Sequence, residues 1–362
     1  MKNKIDCIKQ MNGRLFTMVF LLTWMGTVKG QNQSTKFSMY GHIQNHLEDI
    51  TNEPKSYFSL GEQDFFVTSN ITERISFLGE TVVRYDANTS SKFAPSIERA
   101  QIKYDYSRNH SVVVGKMHTP VNYWNDVYHH GRLFFPTIDR PHSFSYMVPL
   151  HTMGIRMQGQ NIGRWKLGYD AVLGNGIAST DVADSYLNKA MTLALRIEPT
   201  DNLQFRVSYF NDFLRSNIAG AHSGHGGAIA STYKGALNYE LFSNSIAYFG
   251  ESWEFLNEFS YNRNQTQLKG TAHNFSNFTY LGMRVKENQT LYYLTDVMRI
   301  ADNDVHTIGG QMLKFALGYK FEFSYLYKVK IQFEKMGALE HDHANHDQQD
   351  RYDIKIQFAY GF

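Results

Sequence analysis

Histidine and carboxylate side chains are the groups in this sequence with the widest range of chemistry. Two polar or glycine-rich stretches hold many of them: His222, His225, His341, Asp342, His343, His346 and Asp347. Imidazole and carboxylate together can bind a divalent metal ion. The spacing of these residues fixes no coordination geometry, so we interpret both stretches as solvated loops and predict no metal site.

The adjacent pair His129-His130 is a second candidate for metal or proton chemistry. Neighbouring side chains on an extended chain point apart, which disfavours a metal ion shared by the two rings. We therefore expect a hydrogen-bonding role for this pair within a loop.

Serine and histidine are frequent, yet the nucleophile motif G-x-S-x-G is absent from the sequence. We predict no catalytic residue and no cofactor, and hence no enzyme. A Ser/His/Asp site assembled in space from distant residues remains the alternative.

Charged residues also concentrate in one long stretch without strand-like alternation, residues 119–150. It contains Asp126, Arg132, Asp139 and Arg140 among many aromatic residues, and Lys116 and His118 directly precede it. A connection of this length inside a compact fold is usually functional or disordered, and this one is too aromatic to be disordered.

The elements that must position these groups are strands, as the last twelve residues indicate. Aromatic and aliphatic residues alternate there with polar or small ones, and the chain stops at Phe362 without a polar tail. Successive strand side chains point to opposite faces, so residues 351–362 have one continuous apolar face. Such a strand suits lipid on one side and a wet lumen on the other.

Similar alternation recurs along the whole chain and predicts about sixteen strands. These lie near residues 38–48, 57–68, 73–86, 96–107, 110–118, 151–159, 163–173, 189–198, 201–211, 232–241, 245–262, 276–287, 290–300, 309–322, 325–336 and 351–362. An even number is expected for a barrel with both chain ends on the periplasmic side. We predict an all-β, transmembrane antiparallel β-barrel.

The connections between these strands alternate between short and long. Long ones lie near residues 87–95, 119–150, 174–188, 212–231, 263–275, 301–308 and 337–350. Outer-membrane barrels combine short periplasmic turns with longer external loops in this way. A soluble β-sandwich, the alternative for a single alternating strand, has no reason to show it.

Residues 1–30 have the pattern of a secretory signal peptide. Basic residues precede a short apolar run from Leu15 to Met25, and small residues with a possible cleavage point at Gly30 follow. The only cysteine, Cys7, precedes the apolar run, so we expect a mature chain without thiol chemistry. Residues 31–362 would then form the barrel.

Composition excludes further classes. Aromatic residues reach 15% although the mean hydropathy is −0.42, as in barrels where only every second strand residue touches lipid. Removal of residues 1–30, with five basic residues and one acid, leaves 31 basic against 33 acidic residues, a net charge of −2. That charge gives no indication of nucleic-acid binding.

Two segments resemble known outer-membrane proteins. The final strand resembles the C-terminal targeting strand of outer-membrane barrels, which implies that Phe358, Tyr360 and Phe362 form a membrane-insertion signal for the barrel-insertion machinery. Residues 119–150 resemble the constriction loop of trimeric porins, and the segments Thr119–Trp124, Tyr128–Gly131 and Thr137–Pro141 within them are similar to a stretch of the phosphate-selective porin class. This resemblance implies a homotrimer in the bacterial outer membrane, in contact with lipid and lipopolysaccharide.

We therefore predict a porin through which small hydrophilic solutes or ions diffuse passively. The candidate pore constriction consists of Lys116, His118, Asp126, Arg132, Asp139 and Arg140. A modest excess of basic residues on the lumen face predicts a weak preference for anions, and a balanced wall of cross-strand ion pairs is the alternative. An outer-membrane enzyme and a transporter of hydrophobic compounds are the alternatives, and a long loop that forms an external cap is the alternative to a constriction.

Overall fold

The computed structural model describes residues 34–50, 53–85, 91–129, 131–177, 188–214, 235–306, 311–337 and 350–362. Several residues singled out above lie outside the described residues: the signal peptide at 1–30 with Cys7, and His130, His222, His225, His341, His343 and His346.

Sixteen strands make up most of the described chain. They are β1 (Thr35–Ile50), β2 (Glu53–Asn70), β3 (Ile75–Tyr85), β4 (Phe93–Ser107), β5 (His110–His118), β6 (His151–Ile162), β7 (Leu167–Gly174), β8 (Ala190–Thr200), β9 (Leu203–Leu214), β10 (Leu237–Phe249), β11 (Trp253–Thr266), β12 (Gly270–Lys286), β13 (Gln289–Arg299), β14 (Met312–Ser324), β15 (Tyr327–Gly337) and β16 (Arg351–Gly361). Each strand pairs antiparallel with its neighbours in the chain, and β1 pairs with β16, so the sheet is a closed barrel. The predicted fold class is confirmed.

Helical structure is confined to two short segments among the described residues. A π-helical turn covers Trp124–Tyr128, and helix α1 covers His142–Tyr146. No helix in the described ranges is both long enough and apolar enough to cross a membrane.

The outer surface of the barrel is apolar, whereas the lumen side of the strands is mixed. On β16, Ile354 and Phe358 are each 40% exposed, while Asp353 and Gln357 are 1% and 0% exposed. A closed barrel leaves no unpaired backbone edge in lipid, and an outward apolar band is what the hydrocarbon requires. The fold and this band indicate a protein of the bacterial outer membrane.

Two predicted boundaries in the second half of the barrel are wrong. The segment 242–244 does not separate two strands, because β10 runs through it and the turn lies at residues 250–252. The predicted loop at 263–275 is only a tight connection at 267–269. There the Lys269 amide donates to the Thr266 hydroxyl at 3.0 Å, and Gly270 adopts φ +72°, which favours glycine.

The segment between β5 and β6, residues 119–150, lies inside the barrel and not over it as an external cap. We call it the inserted loop. Its bounds agree with the prediction, since β5 ends at His118 and β6 begins at His151. Trp124, Phe135 and Ile138 are at most 1% exposed although none of them belongs to a strand.

The last residue of the chain helps to close the barrel. The Phe362 amide donates to the Met39 carbonyl at 3.0 Å, and the Met39 amide donates to the Phe362 carbonyl at 2.8 Å. Both bonds are made by backbone atoms, whereas the Phe362 side chain is 65% exposed on the outer surface. The exposed ring is therefore not needed for strand pairing.

On the hypothesis that the C-terminal aromatic ring is an insertion signal, we predict that Phe362→Asp lowers the amount of folded barrel in the membrane several-fold. Phe323→Asp is the matched control, since Phe323 is 63% exposed near the periplasmic end of β14. The heat-modifiable fraction on unheated gels measures folding. Equal losses in both variants would contradict a special role of the C-terminal ring.

Candidate functional site

The backbone of the inserted loop is hydrogen-bonded to side chains of the barrel wall. The Trp124 amide donates to Glu258 at 2.7 Å, the Gly131 amide to Asp64 at 2.9 Å, and the His142 amide to Asp296 at 2.7 Å. Carbonyl groups are satisfied in the same way, since Lys330 donates to the Arg132 and Thr137 oxygens at 2.6 and 3.1 Å.

Apolar side chains of the inserted loop pack on one side of the lumen wall. Trp124 contacts Phe135 and Phe278 edge to face, with ring centroids 5.0 and 5.4 Å apart. The cluster continues along the lumen faces of β9–β14, through Phe210, Tyr239, Leu241, Leu256, Tyr280, Tyr292, Leu294, Met298, Met312 and Ala316. The inserted loop and these strands thus share an apolar cluster, which lies among buried polar residues of the wall such as Glu258 and Asn262.

On another side of the lumen, Arg140 anchors the loop to β2. Its guanidinium donates to both oxygens of Glu62, at 2.9 and 2.7 Å, and to the His129 carbonyl at 2.9 Å. A bidentate arginine–carboxylate pair fixes orientation as well as charge. Arg132 lies beside it, donates to the Ile138 carbonyl at 2.6 Å and is 3.8 Å from Glu62.

Asp139 belongs to a second charge cluster, at β14–β16. It accepts a hydrogen bond from Lys355 at 2.6 Å and lies 3.5 Å from Lys314, while Lys355 also contacts Glu334 at 2.7 Å. Burial opposes ionisation of Asp139, but Lys355 and Lys314 outweigh it and hold the pKa of this carboxyl well below its usual range. Asp139 is therefore an anion at neutral pH.

Asp126 lies across the barrel from that cluster, at β6 and β9. Its carboxylate is 2.7 Å from Arg206 and 3.6 Å from Arg156. Burial again opposes ionisation, but Arg206, Arg156 and Arg196 bring the pKa of Asp126 below its usual value. The inserted loop therefore spans the lumen, with ion pairs at both ends of the span.

An open cavity of about 380 Å³ lies beside the inserted loop. Its lining includes five cationic side chains, two carboxylates and His142: Arg132, Arg140, Lys314, Arg351, Lys355, Asp139 and Glu334. The formal charge of these lining groups is +3 with His142 neutral, and Glu62, Glu48 and Asp353 directly behind them pair with Arg140, Arg351 and Lys355. Three of the six residues predicted for a constriction, Arg132, Asp139 and Arg140, meet at this cavity.

The other three predicted residues lie elsewhere. Asp126 contacts the opposite wall, as described, and Lys116 is buried on β5, 9% exposed. His118 lies at the end of β5 in a buried cluster with His129 and His151, whose nearest ligand atoms are all within 4.8 Å of one another. The structure thus divides the predicted set between a cavity, a cross-lumen anchor and a histidine cluster.

Sequence reasoning missed the histidine cluster and the apolar cluster inside the lumen. His118 and His151 directly flank the inserted loop and pair across β5 and β6. Their proximity could therefore be predicted once the strand ends were known. The position of His129 depends on the path of the loop, for which the sequence carries no signal. The apolar lumen residues alternate with outward residues that are also apolar, so no polar–apolar alternation in the sequence marks the packed face.

No known protein-family model matches the chain, and no curated protein matches its sequence. Solved structures match its fold. The anion-selective porin from Comamonas acidovorans gives a TM-score of 0.66 at 9% identity, over 91% of this chain and 100% of that one. The outer membrane channel DcaP of Acinetobacter baumannii gives 0.64 at 9% identity, over 91% and 97%.

A third match is the trimer form of in-vitro folded OmpT, an outer membrane protein of Vibrio cholerae. It gives a TM-score of 0.59 at 9% identity, over 92% of this chain and 100% of that one. Likeness at these identities concerns the fold, and it shows that this chain has the porin-type outer-membrane barrel.

Proposed function

We propose that this protein is an outer-membrane porin that passes small hydrophilic solutes by passive diffusion and favours anions weakly. The observation that carries the proposal is the position of the inserted loop, which crosses the lumen and borders a cavity whose lining has a net positive charge. The likeness to an anion-selective porin supports it at the level of the fold.

The mechanism has no chemical step. A solute enters the aqueous part of the lumen, meets the inserted loop, and passes the charged groups beside it. Arg132 and the cations of β14–β16 attract an anion there, while Asp139 and Glu334 oppose it. Charges next to a narrow path bounded by protein are weakly screened, so they bias which ions pass.

The apolar packing inside the lumen contributes to this selectivity. Because Trp124 and Phe135 fill the space against β11–β13, solutes are directed toward the charged side of the loop.

An outer-membrane enzyme is the second function that the barrel fold allows. A purified enzyme barrel would show no stable open channel.

We further propose that the chain forms a homotrimer through a polar patch on its outer surface. The outer polar patch consists of Asn244, Asn257, Asn277, Thr279 and Thr295, on the outward faces of β10–β13. Asn257 donates to the Thr279 hydroxyl at 2.8 Å, and that hydroxyl donates to the Asn277 side chain at 3.1 Å.

This patch is out of place on a lipid-facing surface. Asn257 lies four residues beyond Trp253 on β11, or about 10 Å along a tilted strand and within the roughly 25 Å apolar band. Corresponding outward positions on β8 and β15 are Leu193 and Ile331. These amides bond partly to one another within the barrel. Their remaining donors and acceptors would be costly in lipid, and amides of a second copy offer partners for them. The trimer form of OmpT supports the assembly by likeness of fold.

For the channel, we predict opposite shifts in selectivity from two neutralising variants. Arg132→Gln removes a cation at the cavity and should move the reversal potential in a salt gradient toward cations, whereas Asp139→Asn should move it toward anions. Arg263→Gln is the control, because Arg263 lies on the outer face of β11 and pairs with Glu240. Planar-bilayer recordings that show the same potential for all four proteins, or no open channel in the wild type, would contradict the proposal.

For the assembly, we predict that Asn257→Leu combined with Asn277→Leu converts most trimers to monomers, because both side chains lose their polar partners across the interface. Thr81→Leu is the control on the outer face of β3, far around the barrel. Native mass spectrometry in detergent measures the oligomer. Unchanged trimers with a higher thermal midpoint would show instead that the patch faces lipid.

A further inference from the structure

We propose that His118, His129 and His151 bind one divalent transition-metal ion, which ties the inserted loop to the wall of the barrel. All three imidazoles are buried, at 5%, 1% and 5% exposure. Their candidate ligand atoms all lie within 4.8 Å of one another. Three imidazoles around one point are a common ligand set for zinc and for neighbouring first-row metals.

Two of the ligands are placed by the sheet itself. His118 is the last residue of β5, His151 is the first residue of β6, and the two are directly paired across the strands. Strand pairing sets the distance between their backbones, so only side-chain rotation remains to be adjusted. The ring centroids of this pair are 5.3 Å apart.

The third ligand comes from the inserted loop, and its tautomer is fixed. The Asn125 amide nitrogen donates to the Thr119 carbonyl at 2.8 Å and to the Leu150 carbonyl at 3.2 Å, which leaves its oxygen as the acceptor. His129 Nδ1 lies 2.6 Å from that oxygen and must therefore carry the proton. The lone pair is then on Nε2, and a hydrogen-bonded far nitrogen is the usual support of a metal-bound histidine.

Carboxylates complete the surroundings of the histidines. Glu98 lies 2.9 Å from His151 Nε2, and Glu80 lies 3.8 Å from His118 Nε2. Arg84 holds the other oxygen of Glu98 at 2.6 Å, and Arg99 donates to Glu80. Glu98 is thus oriented to serve as a fourth, anionic ligand or to accept a hydrogen bond from a metal-bound water.

The present spacing needs a modest contraction for metal binding. With bonds of about 2.0–2.1 Å in tetrahedral geometry, ligand nitrogens lie about 3.3 Å apart. The stacked rings of His118 and His129, with centroids 3.7 Å apart, would turn edge-on toward the ion. Rotation about χ1 and χ2 supplies a shift of this size without moving the strands.

The proposal does not depend on the channel function, because its test measures metal content and not conductance. The protein is prepared without a histidine tag and with His222, His225, His341, His343 and His346 changed to Gln, which removes the histidines of the two histidine-rich stretches. We expect this background chain to bind one Zn²⁺ per barrel after chelator treatment and dialysis. Co²⁺ in its place should give the intense visible absorption of a four-coordinate ion.

Ligand variants in that background separate the site from general surface binding. His129→Gln and His151→Gln should each weaken Zn²⁺ binding more than the roughly 10- to 100-fold expected for Asn125→Ala, which removes only the outer support. His110→Gln is the control, since His110 contacts Tyr169 and lies outside the cluster. All variants are compared as heat-modifiable, folded barrels.

Three results would overturn the proposal: no Zn²⁺ bound by the background chain at micromolar free metal, the weak spectrum of six-coordinate Co²⁺, or unchanged affinity in both ligand variants. The first two are measured on a chain that retains all three ligands, so they decide the question even if a ligand variant fails to fold.

Discussion

The structure depends on one constraint, which is that a loop buried inside a barrel must find partners for its backbone amide and carbonyl groups. Strands satisfy these groups by pairing, but residues 119–150 have no neighbouring strand. Turns and two short helical segments satisfy part of these groups within the loop, and the wall supplies partners for others. Carboxylates on β11, β2 and β13 accept from the amides of Trp124, Gly131 and His142, and each hydrogen bond to a charged group contributes roughly 1.5–3 kcal/mol. Because these carboxylates are spread around the barrel, they specify a path across the lumen and not merely a site of attachment.

The other features of the interior follow from that path. Where the loop meets β9–β14, its aromatic side chains pack against apolar residues of the wall. Where it meets β2 and β14–β16, Arg140 and Asp139 pair with charges of opposite sign on the wall. Those pairs hold the loop, and they also place ionised groups beside the remaining open volume. The same interactions therefore account for the position of the loop and for the electrostatic character of the cavity.

The sequence predicted the barrel well because lipid imposes a strict period of two on the outward residues. On β16, for example, Ile354, Ile356 and Phe358 lie on the outward face whatever the lumen contains. It also located the inserted loop between β5 and β6, because alternation stops there. Contacts inside the lumen were not predictable, because they join residues such as Asp139 and Lys355 that are 216 positions apart. Arg140 was expected to face the solute path, and its charge is largely engaged by Glu62.

Hydrogen–deuterium exchange of the folded wild-type barrel tests the central claim most directly. If wall side chains hold the inserted loop inside the lumen, the amides of Trp124, Gly131 and His142 will exchange as slowly as those of the central strands. Glu258→Leu should raise the exchange rate of the Trp124 amide more than the rates of the other two, because that amide loses its acceptor. Exchange of all three amides in the wild type at the rate of the exposed periplasmic turns would contradict the account.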